Sequence, residues 1–184
     1  MRGHAVREHA VRGHAVRRGV PGSDGSGLRE SRGYIPGVSP GSEWGQAPRQ
    51  SIESECARRG KDNVVAGCIE LLAGRECDPA LVIALGGPGA PGVLDGGPGS
   101  VSWYWIRVWA ARGLLWAWDD VALPTIVAAM ADEAWRVREM AAKAVARHRL
   151  GDALAAVAQL QDDPVPRVRT AASRALVALT SADA

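Results

Sequence analysis

The chain has 184 residues, enough for one folded domain and an extension. Its formal charge of +2 divides unevenly: residues 1–50 hold eight Arg against Glu8, Asp24, Glu30 and Glu43, and the remainder is net acidic by two charges. That remainder has no net field to draw it to a phosphate backbone, and no apolar run reaches the roughly 18 residues that a membrane span needs.

Residues 2–18 repeat a five-residue unit, Arg-Gly-His-Ala-Val and variants of it. A period of five fits neither helix nor strand and builds no apolar face. Residues 19–50 are rich in Gly, Pro and Ser, a composition that buries too little surface to offset chain entropy. Residues 1–50 are therefore expected to be a disordered tail. His4, His9 and His14 can at most hold a metal or nucleic acid loosely. The basic start lacks the apolar stretch and cleavage site of a secretory signal.

Order is expected from Ser51 to Ala184. Asp62 reads as the N-cap of a helix over 63–73, with Val64, Val65, Cys68, Ile69 and Leu72 on one stripe and Gly74 as its stop. Asp78-Pro79 opens a short helix to Leu85. Gly86–Ser100, dense in Gly and Pro, reads as a loop. Residues 103–118 predict a helix apolar on nearly every side, which places it at the centre of the domain. Helices over 120–130, 134–149, 152–161 and 165–180 follow, and their short connections make neighbours antiparallel.

A 31-residue period runs through this half. Ile106-Arg107…Ala110-Ala111, Val137-Arg138…Ala141-Ala142 and Val168-Arg169…Ala172-Ser173 are three copies of one helical pattern. Such a period marks a solenoid of stacked helix pairs. The second helix of a pair buries Val137, Met140, Ala141, Ala144, Val145 and His148 in one copy. It buries Val168, Ala171, Ala172, Ala175, Leu176 and Leu179 in the next. An aspartate closes each turn, Asp132 or Asp163, and an arginine follows six residues later, Arg138 or Arg169. The spacing predicts that each aspartate meets the arginine six residues on, Asp132 with Arg138 and Asp163 with Arg169, and that these charge-assisted pairs repeat as a ladder along the stack. The first copy has Val101 where the aspartate belongs, so the ladder should end there.

Asp132…Trp135-Arg136-Val137-Arg138…Ala141-Ala142…Ala144 and Asp163…Pro166-Arg167-Val168-Arg169…Ala172…Ala175 resemble HEAT repeats. The resemblance is to the short bacterial kind also called phycobilin-lyase-type HEAT-like repeats. It covers about 119–180 well and 101–118 in part, and it fails before 100. The stretch 109–116 also resembles small actinobacterial HEAT-repeat proteins of unassigned function. The resemblance implies an all-α, right-handed solenoid of about three helix pairs, and for most members an interaction scaffold. A minority of the family are bilin lyases or DNA glycosylases.

Candidate chemistry is sparse. The three cysteines, Cys56, Cys68 and Cys77, form neither a disulfide framework nor a zinc motif and read as idle thiols in a reducing cytoplasm. His148 falls on the core stripe with no nucleophile patterned to pair with it. The acid pairs Asp119-Asp120 and Asp162-Asp163 sit where carboxylates cap helices. Gly86-Gly87-Pro88-Gly89 lacks the strand and lysine of a phosphate loop. No cofactor, metal or catalytic residue is assigned.

The residues that remain are surface candidates. Arg112, Lys143 and Arg174 share one repeat position and are expected in an exposed row extended by Arg147 and Arg149, with Trp105 and Trp116 facing a groove. The leading expectation is a cytoplasmic, non-catalytic protein-interaction module. Nucleic-acid binding is the competing one, disfavoured by the acidic balance, and a bilin-lyase-like ligand site is the third.

Overall fold

The computed structural model describes residues 47–75 and 78–181, so the histidine-bearing repeats and Cys77 lie outside the described residues. Helices α1 (Pro48–Arg59), α2 (Lys61–Leu72), α3 (Pro79–Gly86) and α4 (Ala90–Gly96) precede the repeats. The repeats follow as α5 (Tyr104–Trp116), α6 (Leu123–Ala129), α7 (Trp135–His148), α8 (Leu154–Gln159) and α9 (Pro166–Thr180). No strand occurs among the described residues.

The N-terminal boundary departs from expectation. Helix α1 starts at Pro48, so residues 48–50 belong to a helix and not to the tail. Proline at its first position needs no hydrogen-bond partner for its nitrogen, and the Gln50 side chain accepts from the Ala47 N–H at 3.2 Å. The cap of α2 is Gly60, at φ 91°, and Asp62 lies in the first turn of the helix rather than at its cap. Asp78 caps α3 as its spacing predicts, accepting from Ala80 N at 2.9 Å and Leu81 N at 3.3 Å. The expected loop after it contains α4, which buries Ala90 and Val93.

Helix α5 is the centre of the domain. It packs against α2, α3 and α7 and touches α1 and α4. Ile106, Val108, Trp109, Ala110, Ala111 and Leu114 are all buried, as an all-round apolar helix requires. Gly113 shows how close the neighbours come. A Cβ there would lie 2.5 Å from Cys68 Sγ of α2 and 3.0 Å from a Leu85 methyl of α3. The two following copies carry Ala144 and Ala175 at this position, both fully buried.

The repeats stack as their period dictates. Short 3-10 turns, Asp120–Ala122 and Gly151–Ala153, lead into α6 and α8 at the same 31-residue offset. Helix α6 packs on α7, α8 on α9, and α7 joins α5 to α9. Val137, Ala141, Ala144 and Val145 are fully buried in α7, as are Val168, Ala172 and Ala175 in α9. Each buried valine removes enough apolar surface to contribute about 1.5–3 kcal/mol, and the alanines let helices approach to roughly 8–10 Å. Met140 and, in α9, Leu176 are only half-buried, whereas Glu139 is 8% exposed and Ala142 fully buried, so the covered face of α7 extends beyond the expected stripe.

The faces that a following repeat covers can be read by comparing copies. Glu139 and Ala142 are buried on α7, while Thr170 and Ser173 at the same positions of α9 are exposed. Their hydroxyls bond back to Pro166 O at 2.9 Å and Arg169 O at 3.0 Å. The outer face of α9 is therefore largely polar over its first turns, with Val177 exposed further along it.

Candidate interaction surface and the arginine–aspartate ladder

The ladder exists, with a register that the spacing alone does not give. Arg138 grips Asp163 of the following turn in a two-pronged pair, Nε to Oδ2 at 2.6 Å and Nη2 to Oδ1 at 3.1 Å. Arg107 grips Asp132 in the same way, at 2.7 and 3.1 Å. The arginine six residues after each aspartate uses the backbone instead. Arg138 Nη1 donates to Asp132 O and Arg169 Nη1 to Asp163 O, both at 2.7 Å. Each carboxylate also accepts the N–H two residues on, Ala134 or Val165, at 2.8 Å. Each turn is thus held by arginines of two repeats. The Arg138 guanidinium beside Asp163 holds that carboxyl below its ordinary range. Val101 is 96% exposed, and the turn before α5 offers no carboxylate.

The expected row of Arg112, Lys143 and Arg174 is not one surface. Arg112 is half-buried against α3, and one of its amino groups donates to the carbonyl of Leu85 in the last turn of that helix. Helix ends leave such carbonyls unbonded, so Arg112 acts as a C-terminal cap. Burial without a carboxylate partner lowers its pKa. Lys143 is half-exposed and pairs with Glu139 at 2.8 Å, while Arg174 is exposed and pairs with no acid among the described residues.

The equivalent positions form a wider stripe. Residues 105, 109, 112 and 116 of α5 recur as 136, 140, 143 and 147 of α7 and 167, 171, 174 and 178 of α9. These offsets of four, seven and eleven keep to one helix face. On α5 the stripe is covered by the chain itself. Trp109, 7% exposed, lies so close to Gly86 that a Cβ there would come within 2.6 Å of its ring. Arg49 of α1 lies 5.4 Å from the ring centre of Trp116.

On α7 and α9 the stripe carries cations laid on indoles. Arg136 lies 5.2 Å from the ring centre of Trp105 and 4.2 Å from that of Trp135. Arg167 lies 5.5 Å from Trp135, and Arg147 4.1 Å from Trp116. Start therefore meets start and end meets end, so α5, α7 and α9 run parallel. Each cation–indole contact contributes about 0.5–1 kcal/mol at an exposed site and preorganises its guanidinium. Trp105 and Trp116 are half-buried, part core and part surface. The sequence reading places Trp135, Arg136 and Arg167 in the repeat motif but not on the interaction surface. The signal was available, since Arg136 and Arg167 recur at the repeat period with Trp105.

The remaining candidates are structural. His148 Nε2 donates to Leu114 O at 3.0 Å, and its ring stacks on Trp118 with centres 4.8 Å apart. Burial lowers its pKa, so the neutral form carries its proton on Nε2. Burial pushes the Cys68 thiol up to about 12, which leaves it an unreactive core residue. Asp119 caps its turn through Val121 N at 3.1 Å. Among the described residues no cluster of three or more His, Cys, Asp or Glu can hold a metal, and no helix is long and apolar enough to cross a membrane.

Parallel inner helices, short outer helices and an arginine–aspartate ladder at a fixed period define an all-α repeat solenoid. The family model for HEAT repeats matches residues 103–177, and that span carries HEAT repeats. No curated protein and no solved structure matches the chain.

Proposed function

We propose that this chain is a non-catalytic protein-interaction module that binds a partner through the stripe of α7 and α9. HEAT repeats are commonly interaction or scaffold modules. The observation that carries the reading is the set of arginines held on indoles, Arg136 between Trp105 and Trp135 above all. Arginine and tryptophan dominate the energetics of protein interfaces, because each offers a large, nearly rigid contact area. Helix α3 supplies a precedent within the chain: it already lies on the same stripe of α5, with a carbonyl on Arg112 and a glycine on Trp109.

The test is capture from the native host with the full-length chain as bait, beside a Lys143→Glu/Arg174→Glu variant of matched helicity. Partners lost with the charge reversal support this surface; a variant that captures every partner removes it. Five cations on one face also favour nucleic acid as a second reading. A gel shift with duplex DNA at two salt concentrations decides between them, since phosphate contacts weaken steeply with salt.

A further inference from the structure

The cleft between α7 and α9 has a volume of about 300 Å³ and is lined by Glu139, Lys143, Arg167, Thr170 and Arg174. Its charges do not balance. Glu139 Oε1 accepts from Lys143 at 2.8 Å and from Arg167 at 3.3 and 3.4 Å. One carboxylate thus serves two cations, and Arg174 stands beside them without an acid among the described residues. The cleft holds two positive charges more than it can pair. Arg167 is 68% exposed and only loosely bound to Glu139, so its guanidinium, held beside Trp135, is open to a ligand.

We infer that this cleft binds an acidic linear segment of a protein partner, whose carboxylates bridge Arg167 and Arg174 while Glu139 acts as a built-in competitor for the same cations. The inference rests on the interaction reading above and adds the chemistry of the partner. Arginine forks match carboxylates two hydrogen bonds at a time, and the cation–indole contact already orients Arg167. The floor carries the Glu139 carboxylate, 8% exposed. A polyphosphate backbone with a charge at every unit meets that acid. A peptide can place its acids over the arginines and apolar side chains beside Trp105, Trp135 and Met140. The occupant of the same stripe on α5 is likewise polypeptide, the last turn of α3.

The competitor role gives a test with two signs. A fluorescein-labelled ten-residue peptide of alternating Glu and Leu is titrated with the full-length chain and followed by anisotropy. Its Gln-Leu counterpart and a single-stranded oligonucleotide serve as comparisons. The acidic peptide is expected to bind and the Gln peptide not. Arg174→Glu, at an exposed position that tolerates the change, is expected to weaken binding about tenfold. Glu139→Gln, which frees Lys143 and Arg167, is expected to tighten it severalfold. Equal binding of both peptides, no effect of Arg174→Glu, or weaker binding with a folded Glu139→Gln protein each overturns the inference. So does an oligonucleotide that binds tighter than the acidic peptide. If the acidic peptide does not bind but captured host partners still depend on Lys143 and Arg174, the acidic chemistry is wrong and the interaction surface survives.

Discussion

Arg138 Nε lies 2.6 Å from Asp163 Oδ2, although Arg169 is the arginine six residues after that aspartate. The carboxylate reaches back to the previous repeat, and the following arginine takes the carbonyl of the same residue. The pair is therefore an inter-repeat bond and couples α7 to the turn that launches α9. The side chains are 13% and 5% exposed, so breaking the pair strands a charge away from water. Asp163→Ala is expected to cost about 3 kcal/mol, in the range for orphaning one partner of a buried pair. Urea melts check this. A double-mutant cycle with Arg138→Ala should give a larger coupling than the cycle of Asp163→Ala with Arg169→Ala, whose bond survives on the backbone.

The same pair sets the acid limb of stability. Arg138 depresses the Asp163 pKa, so its contribution is complete above the unfolded value near 3.8 and is lost as pH falls through the folded one. Glu55, lowered chiefly by Arg58, and Asp78, lowered chiefly by Arg59, act in the same direction and window. His148 acts earlier. Burial lowers its pKa in the folded chain, so stability begins to fall as pH drops below the ordinary 6.5. His148→Gln is expected to flatten the pH dependence just below the ordinary 6.5 while leaving the more acidic limb set by the carboxylates in place. Melting temperatures measured across both windows separate the two groups. An unchanged slope just below pH 6.5 would mean that His148 is accessible to protons.

Gly113 is the narrowest point of the core. Gly113→Ala adds a methyl 2.5 Å from Cys68 Sγ, and overpacking of this kind costs about 1–3 kcal/mol. The expected gain in helix propensity, about 1 kcal/mol, does not offset it. Combining the change with Cys68→Ala opens the space, and the double variant should be more stable than the sum of the singles. Additive losses would show that the Cys68 sulfur is not what the added methyl meets.

How much of this was legible follows from where the periodic signal is strong. Val137, Ala141, Ala144, Val168, Ala172 and Ala175 repeat at 31 residues and give the stack directly. The ladder residues were legible as types but not as partners, because which arginine meets which aspartate depends on the offset between repeats. Arg112 was misplaced for a related reason. Its repeat position matches Lys143 and Arg174, yet α3 and its Leu85 carbonyl lie on that face, and α3 has no counterpart beside the later copies. Helix α4 was hidden by its own composition, since Ala90-Pro91-Gly92 reads as loop although Ala90 and Val93 are buried.

Helix α1 escaped notice because so little of it is apolar. Ile52 is its one fully buried side chain, and Glu55 is buried beside it under Arg58 and Arg59. The rest of its docking is polar. Ser51 Oγ donates to Ala84 O at 2.6 Å, Arg59 pairs with Asp78, and Arg49 rests on Trp116. A helix of 12 residues is marginal by itself, so tertiary contacts must hold it. Ile52→Ala is expected to cost about 3 kcal/mol, the usual range for a buried aliphatic truncated in a closed core. Ser51→Ala should cost about 1 kcal/mol, the net worth of one hydrogen bond. Deleting residues 1–59 removes both contacts together with the Arg59–Asp78 pair that braces α3. Hydrogen exchange should then quicken in α3 and at Trp109 and Arg112 before it quickens in α9. A truncated chain in which α3 and α9 exchange as in the full-length protein would show that α1 is an appendage and that Arg112 alone holds α3 in place.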